Sequence, residues 1–317
     1  MNTLGKMLGL IVLLPLGLWP QNITVVESSD VSVSVLVVDE NDQVVSNADV
    51  QIYFEGSENV TKNGRTGKDG AFTAVGKTTG VVFYAARKTG YYDSLGLRID
   101  YMRERATMPW EPRATIKKLV LKRIIDPVPM YARKMILTVP ELNIPLSFDL
   151  EAGDWVAPYG KGVREDFVFT VTRRWKDFDD FDAVVRLSFS NRLDGIAPFE
   201  AELMRGSQLS SPHRAPEGGY LSEWIRGMSN NFKEGRRGIN TDNGHSFVFR
   251  VRSREDAVGT LKEANVGKIY GDISLAGFAN PQPELGFTYY YNPEVNSRSL
   301  EFDLNKNLFH DTKIKKP

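Results

Sequence analysis

From Val31 to Val38 the chain reads Val-Ser-Val-Ser-Val-Leu-Val-Val, with valines alternating against serines before a break at Asp39-Glu-Asn-Asp-Gln43. A period of two closed by Asn and Asp is the pattern of a half-buried strand entering a turn. The alternation resumes at Val44 and Val45 and runs on through Ala48, Val50 and Ile52. A second break, Thr66-Gly-Lys-Asp-Gly70, precedes Ala71-Phe72, and Val81-Val-Phe-Tyr-Ala-Ala-Arg87 gives another strand before Lys88-Thr-Gly90-Tyr91. Residues 94–102 continue the series. Ile116, Leu119 and Leu121 predict a closing strand over 114–122, its lysines turned to solvent.

Beyond Pro140 the same period recurs. Phe167, Phe169 and Val171 alternate, as do Val185, Leu187 and Phe189 ahead of the turn at Asn191-Arg-Leu-Asp-Gly195. Residues 246–252, 261–270, 273–278, 287–291 and 300–304 supply further strands, with Asn292-Pro-Glu-Val-Asn-Ser297 as a turn. Many short strands at close spacing predict a sandwich or jelly-roll-like arrangement. One segment, residues 203–244, is rich in Gly, Ser, Asn and Arg. Within it Tyr220, Leu221, Trp224, Ile225 and Met228 recur at helical spacing, which predicts an insertion carrying one short helix.

Two prolines in three residues, Pro127 and Pro129, mark an extended, semi-rigid connection over 125–140. Trp110, between Pro109 and Pro112, marks a similarly rigid approach earlier in the chain. The expected organisation is therefore a first β domain at 22–124, a linker at 125–140 and a larger β domain at 141–317. Length agrees: 317 residues exceed the usual single-domain size.

Residues 31–122 resemble the carboxypeptidase-regulatory-like, transthyretin-like family of β-sandwich modules. The resemblance rests on the apolar strand at Val35 to Val38, the acidic turn at Asp39 to Gln43, Ala48-Asp-Val50, Thr66-Gly-Lys-Asp-Gly70-Ala-Phe72, and the closing aromatic strand with Gly90-Tyr91. It implies a transthyretin-like sandwich serving as a spacer, scaffold or accessory domain. Related adhesin domains form an isopeptide crosslink from a lysine in the first strand; Val31 to Val38 contains none, so that crosslink is not expected. The half after Pro140 resembles no family.

Composition narrows the setting. Lys plus Arg and Asp plus Glu are 40 each, so the net charge is zero and no electrostatic footprint for nucleic acid is present. At the N-terminus Lys6 precedes an apolar run from Met7 to Trp19, too short for a membrane span of about 20 residues. Residues 1–21 are thus expected to be a signal peptide or an uncleaved anchor, with no further membrane span. Cysteine is absent, which excludes disulfides and thiol chemistry. An exported chain without disulfides points to a bacterial periplasm, cell surface or secreted fraction.

Candidate chemistry is sparse. His213, His245 and His310 stand far apart with no metal-ligand spacing. Gly227-Met-Ser-Asn-Asn231 lacks the last glycine of a nucleophile elbow. The acids of Asp177-Phe-Asp-Asp-Phe-Asp182 read as a solvated turn, and Asp303-Leu-Asn-Lys-Asn307 lacks the glycine of a calcium loop. No metal, cofactor or catalytic residue is expected. A glycoside hydrolase is the one enzyme class kept open, because its two carboxyl groups, about 5 to 10 Å apart, leave no mark in sequence spacing.

Aromatic residues offer faces for stacking on sugar rings. Trp155 and Tyr159 lie in the irregular stretch 153–162, Trp224 in the insertion, and Tyr289 and Tyr291 share one side of a strand; these five are the expected ligand-binding residues. The sequence points to an exported, non-catalytic binding or structural protein of the envelope, its specificity carried by the second domain, partnered by an envelope protein or a glycan. The alternative is a carbohydrate-binding or carbohydrate-active protein.

Overall fold

The computed structural model describes residues 28–101, 113–200, 206–231, 236–239, 245–277, 280, 282–310, 314, 316 and 317. The N-terminal segment 1–21, Trp110 and parts of the insertion at 203–244 lie outside the described residues. Every regular element among the described residues is a β-strand. No helix there is long and apolar enough to cross a membrane.

The first module contains β1 (Ser29–Val38), β2 (Asp49–Glu55), β3 (Val60–Arg65), β4 (Ala71–Thr78), β5 (Val81–Arg87), β6 (Leu97–Asp100) and β7 (Ala114–Val120). They form a three-stranded sheet, ordered β4-β1-β7, and a four-stranded sheet, ordered β3-β2-β5-β6. β1 runs antiparallel to β4 and parallel to β7. The alternation explains the packing: Val31, Val33, Val35 and Val37 point inward and meet Val50, Ile52, Phe54, Val82 and Tyr84 of the opposite sheet in one core. Leu119 and Leu121 join that core, but Ile116 does not. It stands an odd number of residues from both, so the pleat turns it outward, where it is 75% exposed.

The second module contains β8 (Val128–Thr138), β9 (Pro145–Asp149), β10 (Asp154–Trp155), β11 (Phe167–Asp177), β12 (Asp180–Ser188), β13 (Gly195–Glu200), β14 (Glu223–Asn231), β15 (Arg236–Ile239), β16 (His245–Glu255), β17 (Leu261–Ile269), β18 (Ser274–Ala276), β19 (Glu284–Asn292) and β20 (Phe302–Asn307). One sheet has the order β10-β9-β11-β12-β14-β15. The other has the order β13-β16-β17-β19-β8-β20, with β18 added on β19. Phe148, Phe167, Phe169, Phe249, Phe287 and Tyr289 from both sheets pack into one core, largely edge to face.

Two expectations are corrected here. The segment 125–140 is not a free linker: β8 pairs with β19 from Tyr131 to Thr138 and is a central strand of its sheet. Its prolines mislead because Pro127 precedes the strand and Pro129 faces solvent ahead of the β19-paired stretch, where no donated hydrogen bond is lost. The insertion carries a strand rather than a helix. In β14, Trp224, Arg226 and Met228 face Leu187, Val185 and Ala183 of β12. The spacing of four between Trp224 and Met228 fits one face of a helix, but it is also even and fits one face of a strand equally well.

The modules are tied together by buried polar contacts. Glu301 is 1% exposed and accepts hydrogen bonds from the Tyr92 hydroxyl at 2.7 Å, from the Ile125 amide at 3.0 Å and from His213 Nδ1 at 2.7 Å. Burial pushes its carboxyl up, but the bonds from His213, Ile125 and Tyr92 outweigh that and hold it below the usual value. Around it, Leu95 N donates to Gly206 O, Gln208 N to Asp93 O, and Lys122 Nζ to Ser211 O. Segments from 91–95, 122–126, 206–213 and 299–301 thus interlock at the junction.

Candidate ligand-binding site

The structure distributes the five expected aromatic residues unevenly. Tyr289 and Tyr291 are fully buried in the second core, and Tyr290 is buried on the other face of β19 against Phe302. Both faces of that strand are therefore covered, and burial pushes the three hydroxyls up in pKa. Trp155 is 4% exposed, set edge-on to Phe148 and Phe169, with Nε1 donating to Thr138 O at 3.0 Å. The loop after it folds so tightly that a Cβ on Gly160 would sit 2.4 Å from the Trp155 carbonyl oxygen. Trp224 is half-buried against Phe247. Tyr159 is exposed, its hydroxyl donating to Glu141 at 2.6 Å, a bond that raises its pKa. Four of the five are packing residues, and they do not converge on a common surface.

Acids of the second module gather around Arg252. Its Nε and Nη2 reach the two oxygens of Asp166 at 2.7 and 2.8 Å, and its guanidinium lies over the Tyr291 ring. Glu151 binds the same guanidinium. Asp149 accepts the amides of Glu151, Ala152, Val163 and Arg164. Burial pushes that carboxyl up, yet these four amides hold it below its ordinary value. Asp194 accepts the amides of Arg252 and Ser253. Each carboxylate is engaged in fastening loops of this module to β16 or to one another. The acidic turn at 177–182 is likewise engaged, with Arg174 binding Asp180 and Asp182.

An open surface with graded chemistry is the outer face of the four-stranded sheet. Because Val50, Ile52 and Phe54 point into the core, Asp49, Gln51 and Tyr53 of β2 must point out. Register aligns them in rows: Arg65, Asp49 and Arg87; then Asn63, Gln51 and Ala85; then Thr61, Tyr53 and Phe83, with Arg98 beside Phe83. A cavity of about 620 Å³ lies over the first two rows, rimmed by Asp93 and Ser94. The rim is held because Ala86 N donates to Ser94 Oγ at 2.7 Å and Ser94 N to Ala86 O. The junction contacts of Leu95 and Gln208 fix the same segment from the other side.

Within the cavity Arg65 Nε binds Asp49 at 2.8 Å, and Gln51 Nε2 donates to Asn63 Oδ1 at 3.2 Å. Tyr53 and Phe83 sit with ring centroids 6.1 Å apart, and the Arg98 guanidinium lies 5.9 Å above Phe83. Sequence reasoning misses this face because its residues are the polar partners in the alternation. The signal available is the pair of aromatics, Tyr53 and Phe83, at positions whose parity turns them outward.

No family model matches the chain, and no curated protein matches it. Among solved structures it is similar to a point mutant of the Acinetobacter radioresistens catechol 1,2 dioxygenase, at 10% identity over 32% of this chain and 54% of that one, with a TM-score of 0.25. It therefore spans about half the length of that enzyme. It is also similar to the streptococcal ancillary pilin, at 7% identity over 82% of this chain and 58% of that one, with a TM-score of 0.24. The major pilin subunit BcpA of Bacillus cereus aligns at 8% identity over 81% of this chain and 95% of that one, again with a TM-score of 0.24. Identities and scores this low carry no argument about activity.

Proposed function

We propose that this chain is an exported, non-catalytic binding or structural protein of the bacterial envelope, with its ligand site on the outer sheet of a transthyretin-like first module. The observation that carries the reading is the cavity over β2, β3 and β5, built from outward polar side chains and rimmed by a segment that the second module holds in place. The second module serves as the larger support, since four of its five candidate aromatic residues and the acids around Arg252 are occupied in packing and loop fastening. This reverses the allocation expected from sequence, where the second half carries specificity.

The test is a binding screen of the purified chain against glycans and envelope extracts, repeated with Ala85→Arg, which fills the cavity floor. Loss of the captured ligand in the variant supports the reading. Undiminished binding moves the site elsewhere, with the exposed Tyr159 loop next in order.

A further inference from the structure

The cavity is lined by two acids, Asp49 and Asp93, and two bases, Arg65 and Arg87. Its formal charge therefore sums to zero, and an ion of either sign gains nothing from the site as a whole. What the site does offer is alternation of hydrogen-bond roles. Asn63 Nδ2 and Arg87 are donors, and Gln51 Oε1 and Asp93 are acceptors. The bonds inside the cavity join Gln51 Nε2 to Asn63 Oδ1 and Arg65 to Asp49, which leaves those four groups of the lining outside these two bonds. Neighbouring donors and acceptors on planar amides and charged groups match adjacent hydroxyls, which both give and accept.

Along the strands, Tyr53 lies four residues from Asp49, about 14 Å at the rise of an antiparallel strand. The surface thus runs from a polar cavity to a half-buried, outward-facing aromatic pair, longer than a single hexose ring. Aromatic faces pack against the apolar C–H faces of such rings. Ala85, opposite Gln51 in the register, contributes only a methyl group and leaves depth between the rows.

We infer that the outer face of the β3-β2-β5-β6 sheet binds a neutral oligosaccharide laid along the strands, hydroxyls in the cavity at Gln51, Asn63, Arg87 and Asp93, and a further ring on Tyr53 and Phe83. The inference rests on the site reading above and adds the ligand class and its direction.

The experiment uses the full chain on an array of neutral and acidic oligosaccharides and peptides, followed by titration calorimetry with the strongest binder. Variants are Arg87→Ala, Tyr53→Ala and, as a control on the opposite sheet, Lys77→Ala; the first two alter outward side chains, and thermal melts verify the fold. The expected result is a neutral oligosaccharide of two or more units, weakened at least about tenfold by Arg87→Ala and by Tyr53→Ala but unchanged by Lys77→Ala. If an acidic glycan or a peptide is preferred, with the same sensitivity to Arg87→Ala, the ligand class is wrong while the site stands. If no bound ligand responds to Arg87→Ala, the site itself is wrong and the inference falls with it.

Discussion

Lys268 is wholly buried on β17, its ammonium donating to Ser211 Oγ and to the main-chain oxygen of Pro317, both at 3.0 Å, with the Tyr290 ring 4.9 Å away. Burial pushes its pKa from 10.5 down to about 7, with Glu301 opposing the shift and Lys122 adding to it. Below pH 7 the group is charged in both folded and unfolded chains, and the cost of burying the cation weighs fully on the fold. Between about 7 and 10.5 the folded chain holds fewer protons than the unfolded one, so stability rises with pH. Denaturation midpoints should increase from pH 7 to 9, and Lys268→Met should flatten that rise while gaining most below pH 7. Asp149, by contrast, contributes to stability in its charged form. Replacing it with Ala strips four amides of their acceptor and should cost about 3 kcal/mol or more, read by urea denaturation. Neither residue stands out in the sequence, because burial and convergent amides are products of tertiary structure.

Among the elements, β14 separates what the sequence discloses from what it hides. A hydrophobic pattern of even spacing supports either a helix or a strand, and neighbours decide; here β12 and β15 flank the segment and make it a strand. A substitution pair distinguishes the two. On a helix Ile225 and Met228 would share a face, whereas in β14 Ile225 is 47% exposed and Met228 5%. Ile225→Lys should therefore stay within about 0.5 kcal/mol of the parent, and Met228→Lys should cost about 3 kcal/mol or more in chemical denaturation. The strands at 31–38 and 167–171 are legible because their alternation is regular, and those at 81–87 and 287–291 because short runs rich in aromatic or β-branched residues end at turn residues. The course of β8 is not, since proline chemistry is the same in a linker as in the free margin of a strand. The cavity is hidden for another reason: it depends on which polar residues of β2, β3 and β5 lie side by side, and register is set by the partners.

At the scale of the molecule the junction around Glu301 makes two sandwiches act together. Its carboxyl is held below the ordinary 4.5, so the stability it confers is present above that value and is lost as pH falls through the lower folded pKa. Calorimetry at neutral pH should show coupled unfolding of the two modules. Glu301→Ala, which leaves Tyr92, His213 and the Ile125 amide without their acceptor, should split the trace into two transitions. Acidification well below pH 4.5 should produce the same splitting in the parent chain.

The parallel pairing of β1 with β7 has a mechanical consequence. Tension that enters before Ser29 and leaves after Val120 pulls the two strands along their length in opposite directions. The backbone bonds spanning the register from Ser32 with Ala114 to Val38 with Val120 are then strained together in shear and must yield at once. An antiparallel hairpin gripped at its two open ends would peel one bond at a time. A first module joined this way resists being drawn out from its N-terminal side, and the sheet that carries the cavity lies outside the loaded pair.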